Sequence, residues 1–114
     1  MSIERLDKGA RMSEAVIHGN TVYLAGQVAE GPDVESQTKA VLASIDSLLA
    51  RAGTDKSRLL TATIWLSDIK NFAGMNSVWD SWVDKDNPPA RATSEGKLAA
   101  PQFLVEIIVV AARG

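Results

Sequence analysis

Apolar residues in this chain recur with two different periods, and each period predicts a type of element. From Val34 to Ala52 they recur every three or four positions, which predicts an amphipathic helix ending at Gly53. The same spacing from Phe72 to Val83 predicts a second helix. This helix must end before Pro88 and Pro89, because proline cannot continue a helix.

Alternating or β-branched apolar runs predict the strands. The run at 3–6 predicts a short first strand. Those at 15–18 and 21–27 predict a hairpin, because Gly19-Asn20 between them is a two-residue turn signal. The runs at 60–66 and 103–112 have strand length, and Arg91 follows two prolines that favour an extended chain. Strands mixed with two helices in this order predict an α+β fold in a single domain spanning residues 1–114.

The two faces of the predicted mixed sheet differ in polarity. One face is uniformly apolar and suits the two helices: Val22, Leu24, Ala62, Ile64, Leu66, Val105, Ile107 and Val109. The opposite face mixes apolar and polar side chains: Tyr23, Ala25, Thr61, Thr63, Trp65, Leu104, Glu106, Ile108 and Val110. Because that face is too apolar to be left in water, we expect a homo-oligomer with clefts between its copies. The alternative is a monomer with a partly apolar open face.

Composition narrows the classes of partner. The chain has 12 basic and 14 acidic residues without a basic stripe, so neither nucleic acid nor an anionic membrane is expected as a partner. With no cysteine and one histidine, a thiolate site and a histidine-based metal centre are not expected. The N-terminus has no apolar signal core, and no segment reaches the length of a membrane span, so we expect a soluble cytoplasmic protein.

Two charged residues stand out in the C-terminal part of the chain. Glu106 is the one carboxylate in an apolar strand, and Arg91 is the nearest upstream cation in an extended context. Since a buried carboxylate needs a partner, the two groups are expected to face a polar small-molecule site. The alternative is that both are solvent-facing charges near sheet edges. If the last two strands pair directly, the two side chains share a face; otherwise they could meet across a subunit boundary.

Four segments in order resemble the RidA/YjgF family of reactive-intermediate deaminases. They are Val22-Tyr23-Leu24-Ala25-Gly26-Gln27, Phe72-Ala73-Gly74-Met75-Asn76, Pro89-Ala90-Arg91-Ala92-Thr93 and Val105-Glu106-Ile107. The short chain and the Trp-Asp-x-Trp pattern at 79–82 resemble the YoaB-like branch. The resemblance covers almost the whole chain.

This resemblance implies a chorismate-mutase-like protomer assembled as a homotrimer, with an active site in each cleft between subunits. It also implies a reaction of the 2-iminobutanoate/2-iminopropanoate deaminase type, in which enamine or imine acids such as 2-aminoacrylate are hydrolysed to 2-keto acids and ammonia. The family needs no cofactor, and its substrate is a small carboxylate. Such chemistry belongs to metabolite damage control.

The resemblance also assigns roles to residues. Arg91 matches the arginine that binds the substrate carboxylate, for which the planar guanidinium is suited. Glu106 matches the acid that positions or activates the attacking water. Thr93 stands where main-chain groups contact the substrate, and Asn76 matches a supporting asparagine. Ala25 and Gly26 are expected to form part of the pocket wall.

One position departs from the family pattern. Met12 stands where active members present an aromatic residue over the substrate; methionine closes an apolar wall but cannot donate a hydrogen bond. A non-catalytic trimeric binding or regulatory protein for small carboxylic acids is therefore the alternative function. A chorismate-mutase-type enzyme follows only from fold analogy, and the chain lacks the several cations expected for a dicarboxylate transition state.

Overall fold

Six strands and two helices make up the fold in the computed structural model, which describes residues 1–114. The strands are β1 (Ile3–Leu6), β2 (Ala15–His18), β3 (Thr21–Leu24), β4 (Leu59–Leu66), β5 (Ala90–Glu95) and β6 (Val105–Ala112). The helices are α1 (Val34–Arg51) and α2 (Phe72–Trp82), with 3₁₀ turns at Lys56–Arg58 and Ile69–Asn71. The strand order is β1-β2-β3-β6-β4-β5, antiparallel except for the parallel β4–β5 pair. The mixed sheet predicted from the sequence is confirmed.

Both helices cover one face of this sheet. Helix α1 begins with a capping box, in which the Asp33 carboxylate accepts a hydrogen bond from the Ser36 N–H and the Ser36 side chain accepts one from the Asp33 N–H. Its apolar stripe packs on the sheet together with Met75, Val78 and Trp79 of α2. Every residue predicted for the apolar sheet face is buried: Val22, Leu24, Ala62, Ile64, Leu66, Val105, Ile107 and Val109. The predicted helical periods and the apolar face are therefore confirmed.

The opposite sheet face has no covering element in the protomer. Tyr23 is 47% exposed and Trp65 is 37% exposed, while Ile108 and Val110 beside them are half-buried. We call this surface the open face. It has the mixed polarity predicted from the alternation of residues in the strands. Because it exposes apolar side chains to water, association between copies of the chain is still expected.

Strand β4 separates the last two strands, so these strands do not pair directly. Arg91 of β5 is in register with Ala62, and Glu106 of β6 is in register with Trp65. Registered residues of neighbouring strands share a face, whereas successive residues of one strand alternate. Arg91 therefore lies on the helix-covered side of the sheet and Glu106 lies on the open face. The shared face that direct pairing required is not formed.

The first hairpin is shorter than the run that predicted it. β3 ends at Leu24, and the Ala25 N–H then donates to the Glu14 carbonyl. The chain rejoins the sheet at Gln27, which exchanges two backbone hydrogen bonds with Ile107. This break carries Gly26 past the side chain of Glu106. Neither helix is long and apolar enough to cross a membrane.

Candidate functional site

Arg91 lies in a group of residues between β5 and α2. Its guanidinium carbon is 5.3 Å from the centre of the Trp79 ring and 6.0 Å from that of Phe72. Helix α2 brings both rings to this edge because Phe72 and Trp79 lie two turns apart on one side of it. Arg91 forms none of the ion pairs in the chain. Cation–π contact thus orients the guanidinium and leaves its hydrogen-bond donors free for an anion.

Two polar atoms near Arg91 are buried without a hydrogen-bond partner. They are Oδ1 of Asn76 on α2 and Oγ1 of Thr93 on β5. Thr93 is in register with Ile64 and therefore shares the helix-covered side with Arg91. A buried polar atom without a partner is unfavourable in a protomer, and a functional site is one place where such atoms persist. Together Phe72, Asn76, Trp79, Arg91 and Thr93 form what we call the Arg91 cluster.

Glu106 is half-buried on the open face and lies against the backbone at Gly26. A Cβ built on Gly26 would be 2.8 Å from the Glu106 Cδ and 3.1 Å from its Cγ, and closer still to Oε2. Glycine is therefore required for the carboxylate to occupy this position. Like Arg91, Glu106 forms no ion pair within the chain. Its carboxylate is thus available to water or to a ligand.

The N-terminal loop and the Gly26 segment enclose an open cavity of about 590 Å³. Gly9, Met12 and Glu14 line one side, and Gly26 and Gln27 line the other. The Met12 side chain is 52% exposed, so it closes the cavity only partly in a protomer. Ala25 precedes Gly26 and is half-buried. Glu106 does not line this cavity, and Gly26 is the residue that borders both the cavity and Glu106. We call Met12, Ala25, Gly26 and Glu106 the Glu106 cluster.

An ion pair fixes the start of this loop. Asp7 has a φ of 52°, a left-handed conformation that aspartate tolerates better than most residues. Arg51 at the end of α1 donates hydrogen bonds of 2.8 and 2.9 Å to the two Asp7 carboxylate oxygens. These hydrogen bonds hold the pKa of the Asp7 carboxyl below its usual range and raise the pKa of Arg51. The loop that carries Met12 therefore leaves β1 from an anchored residue.

All the residues singled out in the sequence thus fall into two groups on opposite sides of one sheet. One strand, β4, lies between β5 and β6, which are therefore about 10 Å apart, and Arg91 and Glu106 point to opposite sides of the sheet. One small substrate cannot contact both residues in a single protomer. Each cluster by itself therefore supplies only one of the two predicted groups.

One buried polar residue, Gln37, is not among those that the sequence pattern singled out. Gln37 is fully buried; its side-chain amide donates 3.0 Å hydrogen bonds to the Gly31 and Gln102 carbonyls and accepts one of 2.8 Å from the Leu104 N–H. It joins α1 to the loop that leads into β6 and hence to Glu106. The signal was a glutamine three residues after Val34 on the apolar stripe of α1. No three His, Asp or Glu side chains are grouped to hold a metal ion.

Comparison with known proteins gives consistent matches along the whole chain. The family model described as Endoribonuclease L-PSP matches residues 2–113. A RutC family protein of Haemophilus influenzae is 50% identical, covering 97% of this chain and 98% of its own. The RutC family protein YoaB of Escherichia coli K12 is 46% identical, covering 98% of this chain and 99% of its own.

Solved structures agree with these sequence matches. A member of the YjgF protein family from Neisseria meningitidis superposes with a TM-score of 0.97 at 42% identity, covering 100% of this chain and 97% of its own. An uncharacterized protein from Pseudomonas aeruginosa superposes with a TM-score of 0.96 at 43% identity, covering 99% of this chain and 100% of its own. The similarity to these two structures therefore extends over the whole chain, in sequence and in the fold of the protomer.

Proposed function

Because the chain belongs to the YjgF/RutC family, we propose that it hydrolyses enamine and imine acids such as 2-aminoacrylate to 2-keto acids and ammonia. The observation that carries this proposal is that one guanidinium and one carboxylate, each without a partner in its protomer, lie in separate half-sites. Arg91 offers free donors between aromatic rings, and Glu106 offers a carboxylate kept clear by Gly26. A small anionic substrate that is attacked by water needs these two groups.

We further propose that the working form is a homotrimer in which the Arg91 cluster of one protomer faces the Glu106 cluster of the next. The separation of the two clusters within a protomer supports this arrangement, because each site then takes one half from each subunit. Closed cyclic association also covers the apolar residues of the open face, such as Tyr23 and Val110. An open chain of copies would leave one unmatched half-site at each end.

In the proposed reaction, Arg91 binds the substrate carboxylate through two hydrogen bonds and fixes the imine carbon near Glu106. An enamine substrate first gains a proton on its terminal carbon and loses one from its nitrogen, which gives the imine. Glu106 accepts a proton from water as the water oxygen bonds to the imine carbon, and it passes this proton to the imine nitrogen, which gives a carbinolamine. Glu106 then takes the hydroxyl proton and passes it to the amino group while the carbon–nitrogen bond breaks and the carbonyl forms, so the keto acid and ammonia leave. The net change is the addition of one water molecule and the loss of one ammonia molecule, so no redox cofactor is required.

The assay uses a pyridoxal-phosphate dehydratase to release 2-aminoacrylate and follows the formation of pyruvate. We expect the wild-type protein to accelerate the formation of pyruvate. We expect this acceleration to be about 100-fold smaller, or less still, in Arg91→Ala and in Glu106→Gln. Arg58→Ala is the matched control, because Arg58 is exposed and lies outside both clusters. If Arg91→Ala retains the wild-type acceleration, the assigned mechanism is wrong.

A mixing experiment tests the sharing of sites. When unfolded Arg91→Ala and Glu106→Gln proteins are refolded together, roughly a quarter of the randomly assembled sites have both residues intact, since each half is intact in half of the protomers. We therefore expect up to about a quarter of the wild-type activity to return. If both residues acted from the same protomer, no mixed site would be intact and no activity would return.

A second candidate function is favoured by Met12. Because this residue is half-exposed and cannot donate a hydrogen bond, the protein would instead bind a small carboxylic acid without converting it. Arg91-dependent binding of 2-ketobutyrate in calorimetry, together with no acceleration in the assay, would support this alternative. Cleavage of RNA, which the description of the family model suggests, is disfavoured by the net charge of −2 and the scattered cations.

A further inference from the structure

A second cavity adjoins Glu106 on the open face, separate from the one lined by Met12. Its volume is about 240 Å³, and Trp65, Gly96, Lys97, Leu98, Ala99 and Glu106 line it. Of these residues, only Glu106 belongs to either of the two clusters. Three of the walls are apolar side chains, and one is a lysine.

The backbone builds this cavity from two strands and the loop between β5 and β6. The register of β4 with β6 places the Trp65 ring directly beside Glu106 on one face. Gly96 then passes close to the ring, since a Cβ there would be 3.1 Å from Trp65 Cε3 and 3.2 Å from Cζ3. A larger residue at 96 would require the ring or the loop to shift by a few tenths of an ångström, so glycine permits this close approach.

The far end of this loop is also held in place. The buried Gln37 amide bonds to the Gln102 carbonyl and the Leu104 N–H, and the Gly96 N–H donates to the Leu66 carbonyl. The segment 97–101 is therefore fixed at both ends. A cavity with fixed walls selects ligands by size more strongly than one whose walls adapt.

We propose that this cavity receives the side chain of the imino acid and makes the protein select imino acids with an unbranched apolar side chain of several carbons. This inference rests on the proposed deaminase function. The reacting carbon bears a carboxylate, a nitrogen and the side chain. Arg91 takes the carboxylate and Glu106 must reach the carbon and its nitrogen, so the side chain is the group left to enter the space beside Glu106.

The size and polarity of the cavity define the substrate class. At about 240 Å³ it is smaller than a pocket for a drug-sized ligand, roughly 300–1,000 Å³, and larger than the methyl group of 2-iminopropanoate requires. Each methylene buried against Trp65, Leu98 and Ala99 should raise kcat/KM about fourfold, equivalent to about 0.8 kcal/mol. 2-Iminopentanoate has two methylenes more than 2-iminopropanoate, so we expect its kcat/KM to be about 16-fold higher.

The test supplies each imine from its amino acid with an amino-acid oxidase and measures hydrolysis in competition with trapping by semicarbazide. Ala99→Leu fills the cavity and should lower the ratio of kcat/KM for the long to the short imine at least about fourfold. Leu98→Gln, which keeps the volume but makes a wall polar, should lower the same ratio and serves if Ala99→Leu does not fold. Ala50→Leu on the exposed side of α1 should leave the ratio unchanged.

The possible outcomes distinguish a failure of the cavity assignment from a failure of the proposed deaminase function. If the wild-type protein hydrolyses none of the imines, the proposed function is wrong and the subsite has no substrate. If it hydrolyses them with no dependence on chain length, or if Ala99→Leu and Leu98→Gln keep the wild-type ratio, the function stands and the subsite assignment is overturned. A preference for an imine with a carboxylate side chain would assign the cavity to Lys97 instead and would also overturn the apolar assignment.

Discussion

Gly26→Ala is expected to lower the activity of the protein without lowering its stability. The added Cβ would lie 2.8 Å from the Glu106 Cδ, whereas carbon atoms in contact are about 3.5–4.0 Å apart. The carboxyl group must therefore move by about 1 Å. A displacement of that size at a reacting group costs about 100-fold in rate, so we expect kcat/KM to fall about 100-fold in the deaminase assay.

The same substitution should leave the fold at least as stable. Gly26 is not among the glycines with a positive φ, so alanine can adopt its backbone conformation without strain. Alanine also restricts the unfolded chain, which stabilises a protein by about 0.4–1 kcal/mol at compatible sites. Urea unfolding followed by circular dichroism is therefore expected to give a midpoint equal to or above that of the wild type.

Gly9→Ala is the matched control for this prediction. Gly9 lines the same cavity as Gly26 and also has no positive φ, but a Cβ there would meet nothing closer than the Met12 carbonyl at 3.7 Å. We expect its kcat/KM to change less than about threefold, because the contact is an ordinary one. In a Glu106→Gln background, Gly26→Ala should add little further loss, since the group it displaces has already been removed.

Two results would refute the reasoning about Gly26. One is a Gly26→Ala protein that keeps activity within about threefold of the wild type, which would mean that the position of Glu106 is not critical. The other is an equal loss of activity in Gly9→Ala, which would mean that the cleft responds to any added methyl group.

Three further predictions concern stability and assembly. Gln37→Leu leaves the Leu104 N–H and two carbonyls without partners and should lower the free energy of unfolding by about 3 kcal/mol in urea titrations. The control Gln102→Leu changes an exposed residue and should alter the free energy of unfolding by less than about 0.5 kcal/mol. Equal effects of the two substitutions would contradict the role of Gln37. The pKa of Asp7 is lowered in the folded state, so the ion pair with Arg51 stabilises the fold fully above the ordinary carboxyl pKa, and this stabilisation is lost as the pH falls through the lowered pKa. The decrease in Tm between about pH 6 and about pH 3 should therefore be smaller in Asp7→Asn than in the wild type. An equal decrease in the variant would show that the ion pair is not its cause. Val110→Arg places a charge on the open face and should convert the proposed trimer to 12.2 kDa protomers in light scattering; a wild-type protein that already runs at 12.2 kDa would contradict the trimer.

The helices and the first hairpin could be predicted from the sequence, because each depends on residues that are close together along the chain. The period of α1 follows from Val34, Val41 and Ile45 on one stripe, and the first hairpin follows from Gly19-Asn20. The buried and open faces of the sheet also followed, because alternation in β4 and β6 assigns each residue to one side. The exposure of Trp65 in β4 confirms this for the open face.

The sequence identified the candidate site residues but did not show which of them lie close together. Arg91, Glu106, Asn76 and Thr93 came from motifs that match a family, and their chemical types suit a small carboxylate. Which of them meet was not determined, because that depends on the insertion of β4 between the last two strands. The roles of Gly26 and Gln37 were likewise hidden, since each depends on a residue about 65 or more positions away.

The sequence by itself determined the helices, the strands, the polarity of each sheet face and the family. Those properties depend on side-chain periods and short segments, which are local. The tertiary structure alone decided that β4 lies between β5 and β6, that Arg91 and Glu106 therefore point to opposite sides, and that Trp65 borders a cavity beside Glu106. The physical reason is that strand pairing joins backbone groups far apart in the chain, so its order depends on how the loops and helices pack together.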